Sequence, residues 1–368
     1  MSIVNGYWQS DIEENITVIS TEILQEQASR VIPKNGFDYI VNGSGNEWTL
    51  HQNTAAFNNV QIYPRVLTDM EDPVTKTELL GIHTAMPIMA ACPAAQGLAH
   101  AQGEKDTARG IAAAGTIMSE STYSTFTVGE ICRAAPGAPN FFELYASKDW
   151  NINAALLKMA RDAGCKAIIW TVDAAIVGDR ESDELDHFVF PMPMPNLEAL
   201  SQSGTGKTVG QLYASTMQAM RAEDIGKIGE LSGLPVIVKG IQHPDDAEKA
   251  VQGGAAAVWV SNHGGRQLNG APASITVLPS IAKRVAGRVP VIFDSGVRSA
   301  ADVFKAIALG ADMVALGRPL LYALALGGAP AITDLMNAMN KQLKTVMQLA
   351  GTKTVADIKK TELLRTGT

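Results

Sequence analysis

The sequence is short of the features that mark several classes of protein. Only 3 of its 368 residues are cysteine, they lie far apart, and so neither a disulfide framework nor a cysteine-based metal motif is indicated. Lys and Arg total 30 against 37 Asp and Glu, and this acidic balance without basic runs argues against nucleic acid or an anionic membrane surface as the main partner. No stretch approaches about 18 uncharged apolar residues, which predicts that no segment spans a membrane.

The composition is instead that of a globular protein with a large core. Hydrophobic residues make up 46% of the chain and charged residues 18%. At roughly 100–200 residues per domain the length predicts two domains, unless an α/β barrel takes up the chain as one unit. Residues 1–15 are polar and acidic and lack the apolar core of a signal peptide. With Cys92, Cys132 and Cys165 interpreted as small buried residues, this favours a cytoplasmic protein.

From about residue 85, short β-rich runs alternate with helical stretches. The predicted strands are Ala85–Cys92, Thr116–Glu120, Asn140–Tyr145, Ala167–Val172, Pro235–Gly240, Ala257–Ser261, Pro290–Asp294 and Met313–Leu316. The predicted helices between them include Glu104–Ala114, Asn153–Ala163, Asp245–Gln252 and Ala301–Leu309, several of which end at glycine. Eight β-α units with near-continuous apolar strands predict a closed (β/α)₈ TIM barrel. No Gly-rich dinucleotide turn follows the first strand, which argues against an open doubly wound sheet.

We therefore predict a single domain built around residues 85–325. Residues 1–84 form an N-terminal helical segment in this prediction, and residues 326–368 form C-terminal helices, including an amphipathic one at 331–350. A long segment after the fourth strand, about residues 175–222, is rich in Pro, Met, Ser and Gly. Long irregular segments of compact domains are usually lids or disorder, and this one follows a strand end where barrel active sites are built. We interpret it as a lid.

Polar and ionisable residues collect where the predicted strands end. They are, strand by strand, Cys92 with Pro93 and Ala94; Ser121; Glu143 with Tyr145; Thr171 with Asp173; Lys239; Ser261 with His263 and Arg266; Asp294 with Ser295, Gly296, Val297 and Arg298; and Gly317 with Arg318. Any one of these is most simply a solvated strand end. Their occurrence on six or more strands favours an active site at this rim, where barrel enzymes carry their chemistry.

The last two strand ends predict a phosphate pocket. Gly296 and Gly317 allow backbone N–H groups to approach an anion, while Arg298 and Arg318 supply positive charge. The loops after strands 7 and 8 are the usual phosphate site of this fold. Phosphate anchors many cofactors and substrates there, so the pocket alone does not identify a ligand.

His263 and Arg266 lie three residues apart at the end of the sixth strand. A histidine base beside a guanidinium that grips a carboxylate in bidentate fashion outlines a site for a hydroxy or keto acid. Asp173, at a different strand end, is placed to orient the imidazole and stabilise its protonated form. Alone, His263 would more often be a hydrogen-bonded structural residue.

Several segments resemble the FMN-dependent 2-hydroxy acid oxidase family. They are VSNHGGRQL at 260–268, FDSGVRS at 293–299, LGRP at 316–319, VKG at 238–240, TVDA at 171–174, GFDYI at 36–40 and YPRVL at 63–67. GLAH at 97–100, TIMS at 116–119, FVFP at 188–191, GIQHP at 240–244 and VMQL at 346–349 are similar to its bacterial L-lactate-oxidising members. The resemblance covers nearly the whole chain.

The resemblance implies a role for each of the rim residues. His263 would be the catalytic base with Asp173 as its partner, and Lys239 would lie against the flavin N1–C2=O edge and stabilise the reduced cofactor. The substrate would be held by Arg180, Arg266, Tyr39 and Tyr145. The flavin ring would contact Ser121, Glu143, Thr171, Ser261 and the backbone of Cys92, Pro93 and Ala94. The ribityl phosphate would be held by the segment Asp294, Ser295, Gly296, Val297 and Arg298 together with Gly317 and Arg318.

Three positions differ from the usual family pattern. Cys92-Pro93-Ala94 replaces Pro-Thr-Ala or Pro-Ile-Ala, Glu143 replaces a glutamine near the flavin pyrimidine edge, and Phe190 stands where the lactate-oxidising members have a lid tyrosine. A moved proline changes which backbone groups can donate to the flavin.

The resemblance predicts FMN-dependent oxidation of a small L-2-hydroxy acid, foremost L-lactate to pyruvate, with O₂ reduced to H₂O₂. Two alternatives keep the scaffold: a dehydrogenase that passes electrons to a quinone or cytochrome, and a lactate 2-monooxygenase. A phosphate-binding barrel without redox chemistry is the alternative from another class. A homotetramer or octamer is the assembly that the resemblance implies, with no metal ion and no partner beyond the hydroxy acid and O₂.

Overall fold

The structure is a computed structural model that describes residues 2–200 and 204–366. Its strands are β1 (Ser2–Val4), β2 (Tyr7–Gln9), β3 (Val60–Ile62), β4 (Thr77–Leu79), β5 (Ile82–Thr84), β6 (Ile88–Ala90), β7 (Met118–Ser121), β8 (Asn140–Leu144), β9 (Ala167–Thr171), β10 (Val236–Ile241), β11 (Ala257–Val260), β12 (Val291–Phe293), β13 (Met313–Leu316) and β14 (Leu363–Arg365). Strands β6 to β13 form one parallel sheet in the order β6-β13-β12-β11-β10-β9-β8-β7. Its two edges meet where Ala90 N–H donates to Ile117 O at 3.0 Å. The (β/α)₈ prediction is confirmed.

Helices follow the strands around the outside of the barrel. Their bounds are α1 (Thr21–Ala28), α2 (Lys34–Val41), α3 (Trp48–Ala55), α4 (Gly103–Ala113), α5 (Val128–Ala134), α6 (Trp150–Ala163), α7 (Glu181–Leu185), α8 (Pro195–Glu198), α9 (Val209–Tyr213), α10 (Glu223–Ser232), α11 (Pro244–Gln252), α12 (Ser274–Val285), α13 (Ala300–Ala308), α14 (Arg318–Ala350) and α15 (Val355–Ile358). Gly164 ends α6 in the left-handed conformation, as predicted.

Side chains alternate along each barrel strand between two separate cores. Residues such as Met89, Phe141 and Trp259 fill the inside of the barrel. Their neighbours in sequence, such as Ile88 and Phe142, face outward and pack against the helices. The inward positions continue, two residues at a time, to the carboxyl ends of the strands. Polar side chains at the inward-facing positions of the strand ends therefore point into the open end of the barrel.

The N-terminal segment contains strands as well as the helices predicted for residues 1–84. The hairpin of β4 and β5 closes the lower end of the barrel, where Leu79, Leu80 and Ile82 pack against the inner core. A second hairpin, β1 with β2, lies at the very start of the chain. Each strand has only three residues, which is too short for a periodic pattern to predict.

Helix α14 is much longer than the amphipathic helix predicted at 331–350. It begins at Arg318, with Pro319 in the first turn, where a missing N–H costs nothing. Gly327 and Gly328 break its helical geometry in the middle, so two helices run on from each other. By length and composition it is a candidate for a membrane span, yet 78% of its most apolar stretch is buried inside the molecule. Burial against α4 and α13 explains its apolar character.

Candidate active site

A cavity of about 1060 Å³, measured to its open mouth, lies at the carboxyl ends of the barrel strands. Its walls come from two sources, the strand ends and the predicted lid. The strand-end walls include Cys92, Pro93, Ala94, Tyr145, Lys239, His263, Arg266, Asp294, Ser295, Gly296, Val297, Arg298, Gly317 and Arg318, and the lid contributes Arg180, Phe190, Val209, Leu212 and Tyr213. A cavity with apolar walls and a few convergent charged groups is typical of a cofactor and substrate site.

Beneath this cavity lies a buried group of polar side chains, the inner cluster, made of Ser121, Glu143, Thr171 and Lys239. Glu143 accepts hydrogen bonds from Ser121 Oγ at 2.8 Å and from Thr171 Oγ1 at 2.5 Å. Its Oε1 lies 3.6 Å from Lys239 Nζ. Burial alone would lower the pKa of Lys239, but the nearby Cys92, Glu143 and other acidic groups raise the pKa above its ordinary value. A fixed ammonium group therefore faces the cavity, with three of the predicted flavin contacts bonded to one another below it.

His263 is held on both ring nitrogens. Nδ1 lies 3.0 Å from Asp173 Oδ1, and Nε2 lies 3.1 Å from the Tyr145 hydroxyl. Its backbone N–H donates to Ser261 Oγ at 3.0 Å, which places Ser261 directly beneath it. His263 adopts a left-handed backbone conformation with φ of 59°, a strained arrangement that tends to cluster at functional sites.

Burial and the neighbouring histidine act in opposite directions on Asp173. Burial would raise the pKa of this carboxyl, but the charge and hydrogen bond of His263 hold the pKa below its ordinary value. Asp173 is therefore an anion that can orient the imidazole and stabilise it when it is protonated.

Arg180 and Arg266 line the same part of the cavity, and each has a buried nitrogen without a hydrogen-bond partner among the described residues. These atoms are Arg180 Nη1, which lies 3.7 Å from Asp183 Oδ2 without a hydrogen bond, and Arg266 Nη2. Arg266 is otherwise tied down, since its Nη1 donates to Tyr39 O at 2.6 Å and Asn42 O at 2.7 Å. Its guanidinium lies over the Tyr39 ring. Burial and the charge of Arg180 lower the pKa of Arg266. Two unsatisfied cationic donors side by side are a site for an anion.

Arg318 and Arg298 also line the cavity, and Arg318 lies beside Arg266, since both donate to Asn42 O. All three side-chain nitrogens of Arg318 donate to backbone carbonyls, those of Ile40, Asn42 and Gly264, at 2.9 to 3.0 Å. Burial and the charge of Arg266 lower the pKa of Arg318 to about 9. Arg298 Nη1 donates to the neighbouring Val297 O. Arg298 thus has more free donors for a phosphate than Arg318.

The two glycines of the predicted phosphate pocket differ in purpose. A Cβ at Gly317 would meet no atom within 4 Å, so this glycine leaves open space at the start of α14. A Cβ at Gly296 would lie 2.0 Å from Asn53 O, so its glycine is required by packing against α3, and its φ is 85°. Gly296 also lines the cavity. That its backbone N–H approaches an anion stays a prediction, because the packing explains only why no side chain fits at this position.

The carboxylate of Asp294 is already engaged. Trp259 Nε1 donates to one of its oxygens at 3.0 Å and Ser295 Oγ to the other at 2.6 Å. Asp294 therefore lies at the floor of the cavity with its acceptors occupied, and a carboxylate repels a phosphate. The assignment of Asp294 to a phosphate contact does not follow from this geometry.

Aromatic side chains cover the cavity from the lid. Phe188 stacks on Tyr39 with ring centroids 4.6 Å apart, and Phe190 meets the edge of the same ring at 5.2 Å. Tyr213 packs against Tyr145 and Tyr123. Tyr123, which also lines the cavity, was not among the predicted site residues. Tyr123 follows Ser121 by two residues at the end of a strand, and this position could have identified it as a cavity residue.

The sequence also gave no indication that two of the three cysteines would meet. Cys132 Sγ and Cys165 Sγ lie 4.0 Å apart, on the outer side of the barrel wall and away from the cavity. The Cys132 of α5 and the Cys165 that follows α6 are separated by 33 residues, and only the fold brings them together.

The chain is similar to known proteins over nearly all of its length. Residues 28–365 match the FMN-dependent dehydrogenase family. An L-lactate oxidase of Lentilactobacillus hilgardii is 50% identical over 365 residues, which is 99% of each chain. Glycolate oxidase 3 of Arabidopsis thaliana is 40% identical over 91% of this chain and 93% of its own. The crystal structure of a Pediococcus acidilactici lactate oxidase superposes with a TM-score of 0.95 at 52% identity and covers 100% of both chains.

Proposed function

The chain belongs to the FMN-dependent dehydrogenase family, and from that premise we propose that it oxidises L-lactate to pyruvate and passes the two electrons to O₂, which yields H₂O₂. FMN is the cofactor of the family and the chain is an FMN-dependent 2-hydroxy acid oxidase. The proposal adds the particular acid and the oxygen product. Relatives at up to 50% identity carry the name L-lactate oxidase.

One observation carries the substrate proposal: two unsatisfied arginine nitrogens beside a histidine base. Arg180 Nη1 and Arg266 Nη2 are both buried and have no hydrogen-bond partner among the described residues, although Arg180 Nη1 lies 3.7 Å from Asp183 Oδ2. Both side chains line the cavity with His263. A carboxylate placed between the two guanidinium groups would pair each donor and relieve their repulsion. A 2-hydroxy acid held in this way would have its α-carbon and hydroxyl next to the imidazole.

The residues present fit FMN. Lys239 supplies a buried ammonium group at the floor of the cavity, where negative charge grows when a flavin is reduced. Arg298 and the open space at Gly317 suit the phosphate at the start of α14, where a helix N-terminus attracts anions. Cys92, Pro93 and Ala94 form one wall between these ends. We place Asp294 beside the ribityl chain rather than the phosphate, since its carboxylate is negative.

Bound FMN supplies a two-electron acceptor that O₂ can reoxidise. His263 Nε2 accepts a proton that leaves the substrate as the α-carbon is oxidised, because Nδ1 is committed to Asp173. The Asp173 carboxylate stabilises the resulting imidazolium. The Tyr145 hydroxyl, 3.1 Å from Nε2, is placed to hydrogen-bond to the substrate oxygen at the same point. Arg180 and Arg266 fix the carboxylate, and the lid aromatics exclude water from the reacting atoms.

The lid side of the cavity supports a small apolar substituent on the hydroxy acid. Phe190, Val209 and Leu212 contribute uncharged surface there. Burial of the lactate methyl group against such a wall contributes about 0.8 kcal/mol to the binding free energy. Glycolate has a hydrogen atom in place of the methyl group and lacks this contribution.

The test is anaerobic flavin reduction over a panel of 2-hydroxy acids, followed by mixing with oxygen. We expect yellow protein, fast bleaching with L-lactate, slower bleaching with glycolate and D-lactate, and stoichiometric H₂O₂ with pyruvate on reoxidation. Acetate and CO₂ in place of pyruvate would assign a monooxygenase. If the reduced flavin is reoxidised slowly by O₂ but rapidly by a quinone, the protein is a dehydrogenase. Faster bleaching by glycolate than by L-lactate would contradict the proposal that L-lactate is the substrate.

We also propose that the chain assembles as a homotetramer or octamer. Val66 is 80% exposed, Leu67 fully exposed and Leu349 65% exposed, and these residues lie together because Arg65 N–H donates to Leu349 O at 2.9 Å. An exposed apolar patch of this kind marks an association surface. Light scattering should give four or eight times the 39.0-kDa chain mass; a monomer would contradict the proposal.

The proposed location is the cytoplasm. Cys132 and Cys165 are free thiols at 4.0 Å, an arrangement that a reducing compartment preserves. Fractionation of producing cells tests this, and activity in the medium or envelope fraction would contradict it.

A further inference from the structure

The outer wall of the barrel carries a compact group of metal-ligating side chains, the outer cluster, made of Glu120, Cys132, Asn140 and Cys165. Cys132 Sγ lies 4.0 Å from Cys165 Sγ, and Cys165 Sγ lies 3.7 Å from Glu120 Oε1. One ligand atom from each of Glu120, Cys132 and Cys165 falls within 4.8 Å of the other two. The group joins three successive β-α units, because Glu120 belongs to β7, Cys132 to α5 and Cys165 to the turn before β9.

These separations match those around a single tetrahedral zinc ion. Two sulfurs bound at about 2.3 Å to one such ion lie about 3.8 Å apart, and a carboxylate oxygen at about 2.0 Å lies about 3.5 Å from each sulfur. The observed 4.0 Å and 3.7 Å are within about 0.2 Å of these values. The third pair, Glu120 and Cys132, lies within 4.8 Å and would have to close further. A disulfide, by contrast, would require the sulfurs to close to about 2.05 Å.

The cluster also leaves one buried carboxyl oxygen without a partner in the part of the chain that the structure describes. Glu120 is fully buried, and its Oε2 has no hydrogen-bond partner among the described residues. Asn140, 5% exposed, donates from Nδ2 to Glu120 Oε1 at 3.0 Å and lies 3.3 Å from Cys132 Sγ. An amide that hydrogen-bonds to a carboxylate in this way can orient it as a metal ligand. No ion pair joins Glu120 to a Lys or Arg within residues 2–200 and 204–366.

We propose that Glu120, Cys132 and Cys165 bind one thiophilic d¹⁰ cation, Zn²⁺, with a water molecule in the fourth position. Two thiolates and one carboxylate form the mixed S₂O donor set that zinc accepts. The ion would join α5 to the barrel wall, on the opposite side of the wall from the active-site cavity.

Zinc binds cysteine as the thiolate and glutamate as the carboxylate, so binding at this site would release protons. Zinc affinity should therefore rise with pH.

The experiment uses reduced, chelator-treated holoenzyme dialysed against Zn²⁺, with metal measured by mass spectrometry. We expect about one zinc per chain in the wild type and at least about ten-fold weaker binding in Cys132→Ser and in Glu120→Gln. Cys92→Ser is the matched control, because Cys92 lies in the cavity on the other side of the wall, and it should keep the zinc. Absence of zinc in the wild type, or unchanged affinity in Cys132→Ser, would overturn the proposal.

A second measurement needs no variant and so does not depend on variant folding. Alkylation of Cys132 by iodoacetamide, followed by peptide mass analysis, should slow at least about ten-fold when Zn²⁺ is present. Equal rates with and without zinc would contradict the site. A Cys132–Cys165 disulfide in protein kept in reducing buffer would also overturn it, in favour of a redox pair. Because the readouts are metal content and thiol protection, they stand apart from the proposed lactate oxidation.

Discussion

Two buried glutamates on neighbouring strands face opposite sides of the barrel wall. Glu143 on β8 points inward, where Ser121 and Thr171 donate to it and Lys239 lies 3.6 Å away. Glu120 on β7 points outward, where it meets a thiol and an amide and keeps one oxygen without a partner among the described residues. The inner carboxylate has a cation beside it and the outer one has none.

The difference shows how strand alternation separates two kinds of chemistry within a few ångströms. Glu120 and Ser121 are consecutive, yet one joins the outer cluster and the other the inner cluster, because successive side chains of a strand face opposite ways. A buried carboxylate needs a cation, a proton or a metal ion. Inside the barrel Lys239 meets that need, whereas outside burial raises the pKa of Glu120 and leaves a proton or a metal ion to do so.

The largest expected effect is on the rate of flavin reduction, which should depend on the active site and not on the outer cluster. His263→Gln should retain FMN but slow anaerobic flavin reduction by at least about 10²-fold, because the base that accepts the substrate proton is gone. Cys132→Ser, on the outer wall, should leave the rate within about two-fold of wild type. Stopped-flow absorbance measures both. Near-normal reduction by the glutamine variant would remove His263 from the mechanism.

A smaller effect is expected from the guanidinium geometry at the same rim. Arg266→Lys keeps a positive charge but loses the planar fork that can pair with a carboxylate. We expect the KM for L-lactate to rise about ten-fold, which is near the low end for a hydrogen bond to a charged group. Steady-state kinetics over a range of lactate concentrations measures it. If KM and kcat both stay unchanged, the carboxylate binds elsewhere.

The inner cluster can be tested by removing the charge of its glutamate. Glu143→Gln should raise the flavin midpoint potential by up to about 30 mV, a ten-fold change for a two-electron couple. A negative charge near the ring opposes the charge that develops on reduction, so lactate reduction should speed up and the oxygen step should slow. Potentiometric titration against a reference dye gives the value. An unchanged potential would mean that Lys239 already cancels the effect of Glu143 on the ring.

The outer cluster should show the smallest effect, through pH. Since the folded-state pKa of Glu120 is raised above its ordinary 4.5, stability present at low pH is lost as pH rises toward the folded value. A glutamine at position 120 cannot ionise, so the wild type should lose stability relative to Glu120→Gln as the pH rises above 4.5, by at most about 1.4 kcal/mol per pH unit, the limit for one proton. Urea unfolding in the presence of a chelator measures the difference. A constant gap would mean that Glu120 does not titrate there.

The barrel could be predicted from the sequence because its strands are near-continuous apolar runs. The eighth strand, Met313–Leu316, was predicted at its observed bounds, and the others differ by one to three residues at an end. The Ala85–Cys92 prediction was too long, since the three residues before Ile88 lead in from the hairpin and those after Ala90 form the cavity wall. Periodicity locates strands well and their ends poorly.

What could not be predicted depended on contacts between distant parts of the chain. The Asn53 backbone pressed against Gly296 and the meeting of Cys132 with Cys165 are both examples. Neither leaves a mark in local spacing, because each partner lies on a different element. The hydrogen bond between His263 and Asp173 was foreseeable in outline, since both residues follow parallel strands whose ends share one rim.

Among the described residues, the hairpin of β4 and β5 closes the end of the barrel that lies opposite the active-site cavity. Leu79, Leu80 and Ile82 seal the lower end with apolar side chains, so a charged acid finds no path through the floor. Lactate must enter, and pyruvate must leave, through the mouth that Phe190 and Tyr213 partly cover. Substrate and product therefore use the same opening, so a new substrate molecule cannot bind until the product has left.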